Sequence, residues 1–216
     1  MQQLDGPKLL PASGGKPDSI VVLLHGYGSN GADLLSFAPM WRRLLPGTLF
    51  VAPNAPERCY GAPGGYQWWG LQDLSRPALA AGAARAAPVL DAYLDGLLAE
   101  HGLSEDRLVL VGFSQGTMMA LHVGVRRERA VAGILGYSGM IAGPSLDSEA
   151  VRSKPPVLLV HGDADPVVPF SAYTHARGEL ERLGFAVEGH VSRGLGHSVD
   201  PAGLQLGAGF VTRVLG

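Results

Sequence analysis

Gly112-Phe113-Ser114-Gln115-Gly116 limits the possible folds of this chain more than any other stretch. It follows Arg107-Leu108-Val109-Leu110-Val111, a short apolar run with strand character. It precedes Thr117-Met118-Met119-Ala120-Leu121-His122-Val123, which continues as a helix. A strand that becomes a helix this abruptly brings the neighbours on either side of the serine together. Gly112 and Gly116 suit those places, because a Cβ there collides with the opposite arm. The serine is left at the tip of a strained turn, with its Oγ exposed above the sheet. The helix that starts at Gln115 aims its free N–H groups back at that hydroxyl. A Gly-rich turn that happens to contain serine satisfies the same short pattern, so the rest of the chain must decide.

The rest of the chain has a consistent rhythm. Ile20-Val21-Val22-Leu23-Leu24 is apolar on both faces, as a strand inside a parallel sheet must be. It ends at the Gly-rich loop His25-Gly26-Tyr27-Gly28-Ser29-Asn30-Gly31. Further strands are predicted at 48–52, 107–111, 131–137, 156–160 and 186–191. Helices are predicted at 32–45, 78–100, 170–183 and 201–214. Pro39 should disturb or split the first of these and Pro88 should kink the second. His101-Gly102 is the predicted stop. Residues 53–76 form a Pro- and Gly-rich loop holding Tyr60, Tyr66, Trp68 and Trp69, and loops that long are usually functional. Alternating strands and helices predict an α/β fold with a mainly parallel sheet and helices on both faces. No repeat, linker or change of composition divides residues 1–216, so a single domain is expected.

Composition narrows the function. The hydrophobic fraction of 46% suits a sizeable buried core. The net charge is −2 and the seventeen Lys and Arg are scattered, so nucleic acid is not an expected partner. Cys59 is the single cysteine, which excludes an intramolecular disulfide and a Cys-based metal site, and fits a reducing cytoplasm. The N-terminus has no basic region followed by an apolar core, so no signal peptide is expected. No apolar run approaches the ~20 residues of a membrane span. The expectation is a soluble, cytoplasmic protein without stable membrane insertion.

In such a sheet, functional groups gather beyond the carboxyl ends of the strands. Polar clusters lie there at His25 to Gly31, Ser114-Gln115, Asp163 to Asp165, and around His197. A serine hydroxyl needs a base within reach, and the base needs a partner that fixes its tautomer. Ser114, Asp165 and His197 occur in the chain order of the α/β-hydrolases. Asp163 competes with Asp165, but after Gly162 it reads as a turn-former. Asp165 is held extended by Pro166. His25 and His161 end strands and read as structural. His122 lies within a helix, and His101, His175 and His190 lie in segments without a motif.

With these motifs the chain resembles the phospholipase/carboxylesterase family of α/β-hydrolases, which includes acyl-protein thioesterases and small bacterial carboxylesterases. The resemblance covers nearly the whole chain. It rests on Leu24-His25-Gly26-Tyr27-Gly28, Gly112-Phe113-Ser114-Gln115-Gly116, His161-Gly162-Asp163-Ala164-Asp165-Pro166-Val167-Val168-Pro169 and Gly196-His197. It implies an α/β-hydrolase fold without a large cap domain. It implies Ser114 as nucleophile, Asp165 as acid and His197 as base. It points to Tyr27 as one backbone oxyanion donor, beside the Gln115 N–H that follows the nucleophile. The implied reaction is hydrolysis of an ester or thioester through an acyl-enzyme, with no metal or organic cofactor. One departure is Gly65-Tyr66-Gln67-Trp68-Trp69-Gly70, where many relatives carry Trp-Phe-Asp; it bears on substrate range.

Trp68, Trp69, Leu71, Met118 and Phe170 are the candidate walls of the acyl site. Two adjacent tryptophans in a Gly-rich loop are hard to bury, so a wall or interface role is expected for them. Exposed Trp and Leu near the site would also suit a homodimer. The alternatives are a dienelactone-hydrolase-like enzyme, which typically has Cys at the elbow, and a non-catalytic binding protein on the same fold.

Overall fold

The structure, a computed structural model, describes residues 4–216. Its first half contains β1 (Lys8–Leu9), β2 (Ser19–Leu24), α1 (Gly31–Leu35), α2 (Ala38–Trp41), β3 (Thr48–Val51), β4 (Glu57–Arg58), β5 (Tyr66–Gln67) and α3 (Arg76–His101). Its second half contains β6 (Leu108–Phe113), α4 (Gln115–Gly124), β7 (Gly133–Tyr137), β8 (Val157–Gly162), α5 (Phe170–Arg182), β9 (Val187–Ser192) and α6 (Pro201–Leu215). The central sheet has the order β1-β3-β2-β6-β7-β8-β9, with β4 and β5 paired apart from it. All pairings in the central sheet are parallel except β1 with β3.

The continuous apolar runs are explained by burial on both faces. Ile20, Val22 and Leu24 of β2 point into one core with Leu90 and Leu94 of α3 and Met119 of α4. Val21 and Leu23 point into the other, with Trp41 of α2 and Phe210 of α6. Each such side chain, fully buried, contributes about 1.5–3 kcal/mol, so neither face can be polar.

The predicted helix over 32–45 is two short helices. Pro39 lies in the first turn of α2, where its missing N–H leaves no bond unmade. α3 instead continues through Pro88 as one helix. It starts at a Ser75 cap and stops at Gly102, whose φ is 66°. The sheet also explains where a site can form. β2 has β3 on one side and β6 on the other, so the winding direction reverses there. The loops leaving the C-terminal ends of β2 and β6 therefore open side by side.

Candidate active site

The turn between β6 and α4 is as tight as the sequence requires. A Cβ on Gly116 would lie 1.8 Å from the Leu24 carbonyl oxygen, and one on Gly112 would lie 2.4 Å from the Gly116 main chain. Ser114 between them has φ 54° and ψ −115°. A non-glycine residue in that region costs on the order of 1–3 kcal/mol, so the surroundings must hold it there. The Ser114 N–H donates to the Tyr137 carbonyl at 2.9 Å. Thr117 Oγ1 sits between the carbonyls of Gly112 (2.8 Å) and Tyr137 (2.9 Å).

Asp165 and His197 arrive from the loops after β8 and β9. His197 Nδ1 is 2.7 Å from Asp165 Oδ2. Asp165 Oδ1 accepts the N–H groups of Val167 (2.8 Å) and Val168 (2.9 Å). Burial pushes the Asp165 carboxyl upward, but the bonds from His197, Val168 and Val167 outweigh it and hold the group below its ordinary value. The carboxylate therefore stays ionised and, as an acceptor only, takes its bond from the His197 Nδ1–H. His161 donates from Nε2 to the Val168 carbonyl at 2.9 Å, and is a brace beneath Asp165.

The His197 loop is anchored by two residues outside any motif role. Asp163, read as a turn-former, accepts the Gly194 N–H at 2.6 Å. Ser138 Oγ donates to the Ser198 carbonyl at 3.1 Å. Ser138 follows β7 with φ 45°, and with Ser114 it is one of the non-glycine residues of positive φ among those described. Nothing in the sequence around Ser138 marks it.

The Gly-rich loop after β2 lies against the elbow. A Cβ on Gly26 would come within 3.2 Å of Ser114 Cβ. His25 braces this loop as a neutral ring. Its Nδ1 is 2.7 Å from the Gly26 carbonyl, which only accepts. Its Nε2 is 2.9 Å from the Ala55 N–H, which only donates. Those partners fix the Nδ1–H tautomer. Burial accordingly lowers the His25 pKa.

Ser114 and His197 line one cleft of about 320 Å³, whose walls include Tyr27, Phe37, Phe113 and Val199. The Phe113 ring lies 4.9 Å from that of His197. None of the five expected wall residues lines this cleft. The expectation of exposed tryptophans is overturned: Trp68 is 1% exposed and Trp69 2%. Both side chains pack into the core beside α3, and the Gln115 side chain bonds their main chain. Trp69 packs so tightly on α3 that a Cβ on Gly82 would lie 2.3 Å from its ring. Met118 is buried in the same core, and Leu71 and Phe170 are half-buried against it. Neither tryptophan is therefore available on the surface to form a homodimer contact. Among the described residues, no cluster of three or more His, Cys, Asp or Glu side chains could hold a metal ion. No helix among them is long and apolar enough to cross a membrane.

A parallel sheet with helices on both faces, a strained serine after its central strand, and acid and histidine loops after later strands define an α/β-hydrolase fold. More narrowly, the chain belongs to the phospholipase/carboxylesterase family, whose model matches residues 10–215. It is 31% identical to acyl-protein thioesterase 1 of Neurospora crassa, over 97% of this chain and 92% of that protein. It is 27% identical to esterase YpfH of Escherichia coli, over 86% of this chain and 78% of that protein. The crystal structure of esterase PE8 superposes with a TM-score of 0.94 at 45% identity, covering 99% of this chain and 100% of that one.

Proposed function

We propose that this carboxylic ester hydrolase cleaves esters and thioesters through an acyl-enzyme on Ser114. The observation that carries the reading is the Asp165–His197 bond of 2.7 Å, beside a cleft that Ser114 shares with His197. His197 Nε2 takes the hydroxyl proton as Ser114 Oγ bonds to the substrate carbonyl carbon. Asp165 stabilises the imidazolium that results. The carbonyl oxygen, now an anion, is held by the main-chain N–H groups of Tyr27 and Gln115, each typically worth about 2.7–4 kcal/mol of barrier. Collapse of the intermediate breaks the bond to the alcohol or thiol, which leaves with the proton from His197. A water molecule then gives His197 a proton as its oxygen bonds to the acyl carbon; collapse breaks the acyl–Oγ bond, Ser114 Oγ takes the proton back from His197, and the acid leaves. No step requires a metal or organic cofactor. The thioesterase and esterase names of its relatives support both leaving groups as substrates.

Labelling with a fluorophosphonate probe tests this reading. The wild type should label and Ser114→Ala should not. A folded wild type that neither labels nor hydrolyses butyryl ester or butyryl thioester would leave the binding-protein reading standing.

A further inference from the structure

The two donors of the proposed oxyanion hole belong to different parts of the chain. The Tyr27 N–H sits on the loop after β2, and the Gln115 N–H is at the first residue of α4. Donors stabilise an oxyanion only when both lie about 2.7–3.1 Å from it, so something must fix one relative to the other. We infer that the Gln115 side chain, through the Trp68-Trp69 main chain, is the positioning group that yokes the two halves. This inference rests on the assignment of those two N–H groups.

The yoke is a closed circuit of hydrogen bonds. Gln115 Oε1 accepts the Trp68 N–H at 3.0 Å, and Gln115 Nε2 donates to the Trp69 carbonyl at 2.9 Å. The Trp68 indole N–H donates to the His25 carbonyl at 3.0 Å, directly before the Gly-rich loop. Just upstream, the Gly28 N–H donates to the Tyr66 carbonyl at 2.9 Å, and the Tyr66 N–H donates to the Ser29 carbonyl at 2.7 Å. The segment 66–69 is thus bonded to the oxyanion loop on one side and to the elbow on the other. Gln115 and Trp68 are each 1% exposed, so water cannot substitute for these bonds. The circuit also reaches the donor itself, because the residue whose side chain grips the loop is the residue whose N–H faces the oxyanion. A shift of either half misplaces a donor, and a misplacement of about 1 Å can cost on the order of 10²-fold in rate.

Gln115→Met conserves volume and removes both side-chain bonds. Per titrated active site, its kcat should fall by about 10–100-fold while KM stays within about twofold. The affinity of a trifluoromethyl ketone, which forms an oxyanion on the serine, should fall in parallel. Gln115→Glu supplies a rescue. A protonated carboxyl can both accept from Trp68 and donate to Trp69, whereas a carboxylate cannot donate. Its kcat relative to wild type should therefore be higher at low pH and fall as the carboxyl ionises. Should Gln115→Met not fold, Trp68→Phe breaks the circuit at the indole and should give the same kcat-selective loss, smaller in size. Wild-type kcat and ketone affinity in the folded variant, a loss confined to KM, or a pH-independent Gln115→Glu ratio would each overturn the yoke. Those results leave wild-type hydrolysis intact. A wild type without hydrolysis or labelling overturns the oxyanion assignment and takes the yoke with it.

Discussion

Ser114, Asp165 and His197 act as a unit under the proposed mechanism, and the loss from each substitution depends on which bond goes. Ser114→Ala and His197→Ala should each lower kcat by a factor on the order of 10⁶, and the double variant should be hardly worse. Asp165→Asn should cost on the order of 10⁴, because an amide that donates toward Nδ1 selects the wrong histidine tautomer. Asp163→Asn keeps an oxygen for the Gly194 N–H and should cost no more than about tenfold. Steady-state kinetics on a butyryl ester checks all five variants, and a larger loss for Asp163→Asn than for Asp165→Asn would refute the acid assignment. The sequence singles these residues out because a serine nucleophile demands particular residue types in a particular chain order. Ser138 was not legible, since a hydroxyl that bonds one main-chain carbonyl has no pattern along the chain. The Gln115 side chain was hidden for a similar reason: its partners lie 46 and 47 positions away.

Among the elements, those with a strong apolar period were readable within a few residues. β2, β3, β7, β8 and β9 lie within the predicted strands or within two residues of them, and β6 carries the pairing on to Phe113. β1, β4 and β5 are two-residue strands, too short to leave a period in the sequence. The aromatic loop differs from expectation because composition does not reveal tertiary partners: both tryptophans are buried in the core, with their main chain bonded to the Gln115 side chain. Gly82 on α3 tests that packing. A methyl group there would lie 2.3 Å from Trp69 Cδ1. Gly82→Ala should thus destabilise the fold by about 1–3 kcal/mol despite the better helix propensity of alanine. Urea unfolding measures it, with tryptophan fluorescence reporting a shifted indole. A stabilised Gly82→Ala would mean that α3 and the loop are not packed this closely.

At the scale of the whole molecule, the half-buried His122 and the buried His25 should weaken the fold as pH falls. Burial lowers the pKa of His122 from 6.5 to about 4, with the Arg126 charge adding to the effect, and burial also lowers that of His25 from 6.5. Below pH 6.5 the unfolded chain takes up a proton on each of them that the folded chain refuses. The free energy of unfolding therefore falls as pH falls, by at most about 1.4 kcal/mol per pH unit for each group. The His122 contribution is complete above pH 6.5 and is lost progressively toward pH 4. The Asp165 carboxylate, whose pKa is lowered from 3.8, has its effect below this range. His122 lies in α4 away from the cleft-lining residues, so His122→Gln removes its titration without touching the proposed chemistry. Urea unfolding at pH 7, 6 and 5 should show the wild type losing stability steadily toward pH 5. The variant should lose less, with the gap between the two curves narrowing as pH falls. Parallel curves at all three pH values would show that His122 titrates alike in the folded and unfolded chains, and the acid sensitivity would then belong to His25 and the loop that it braces.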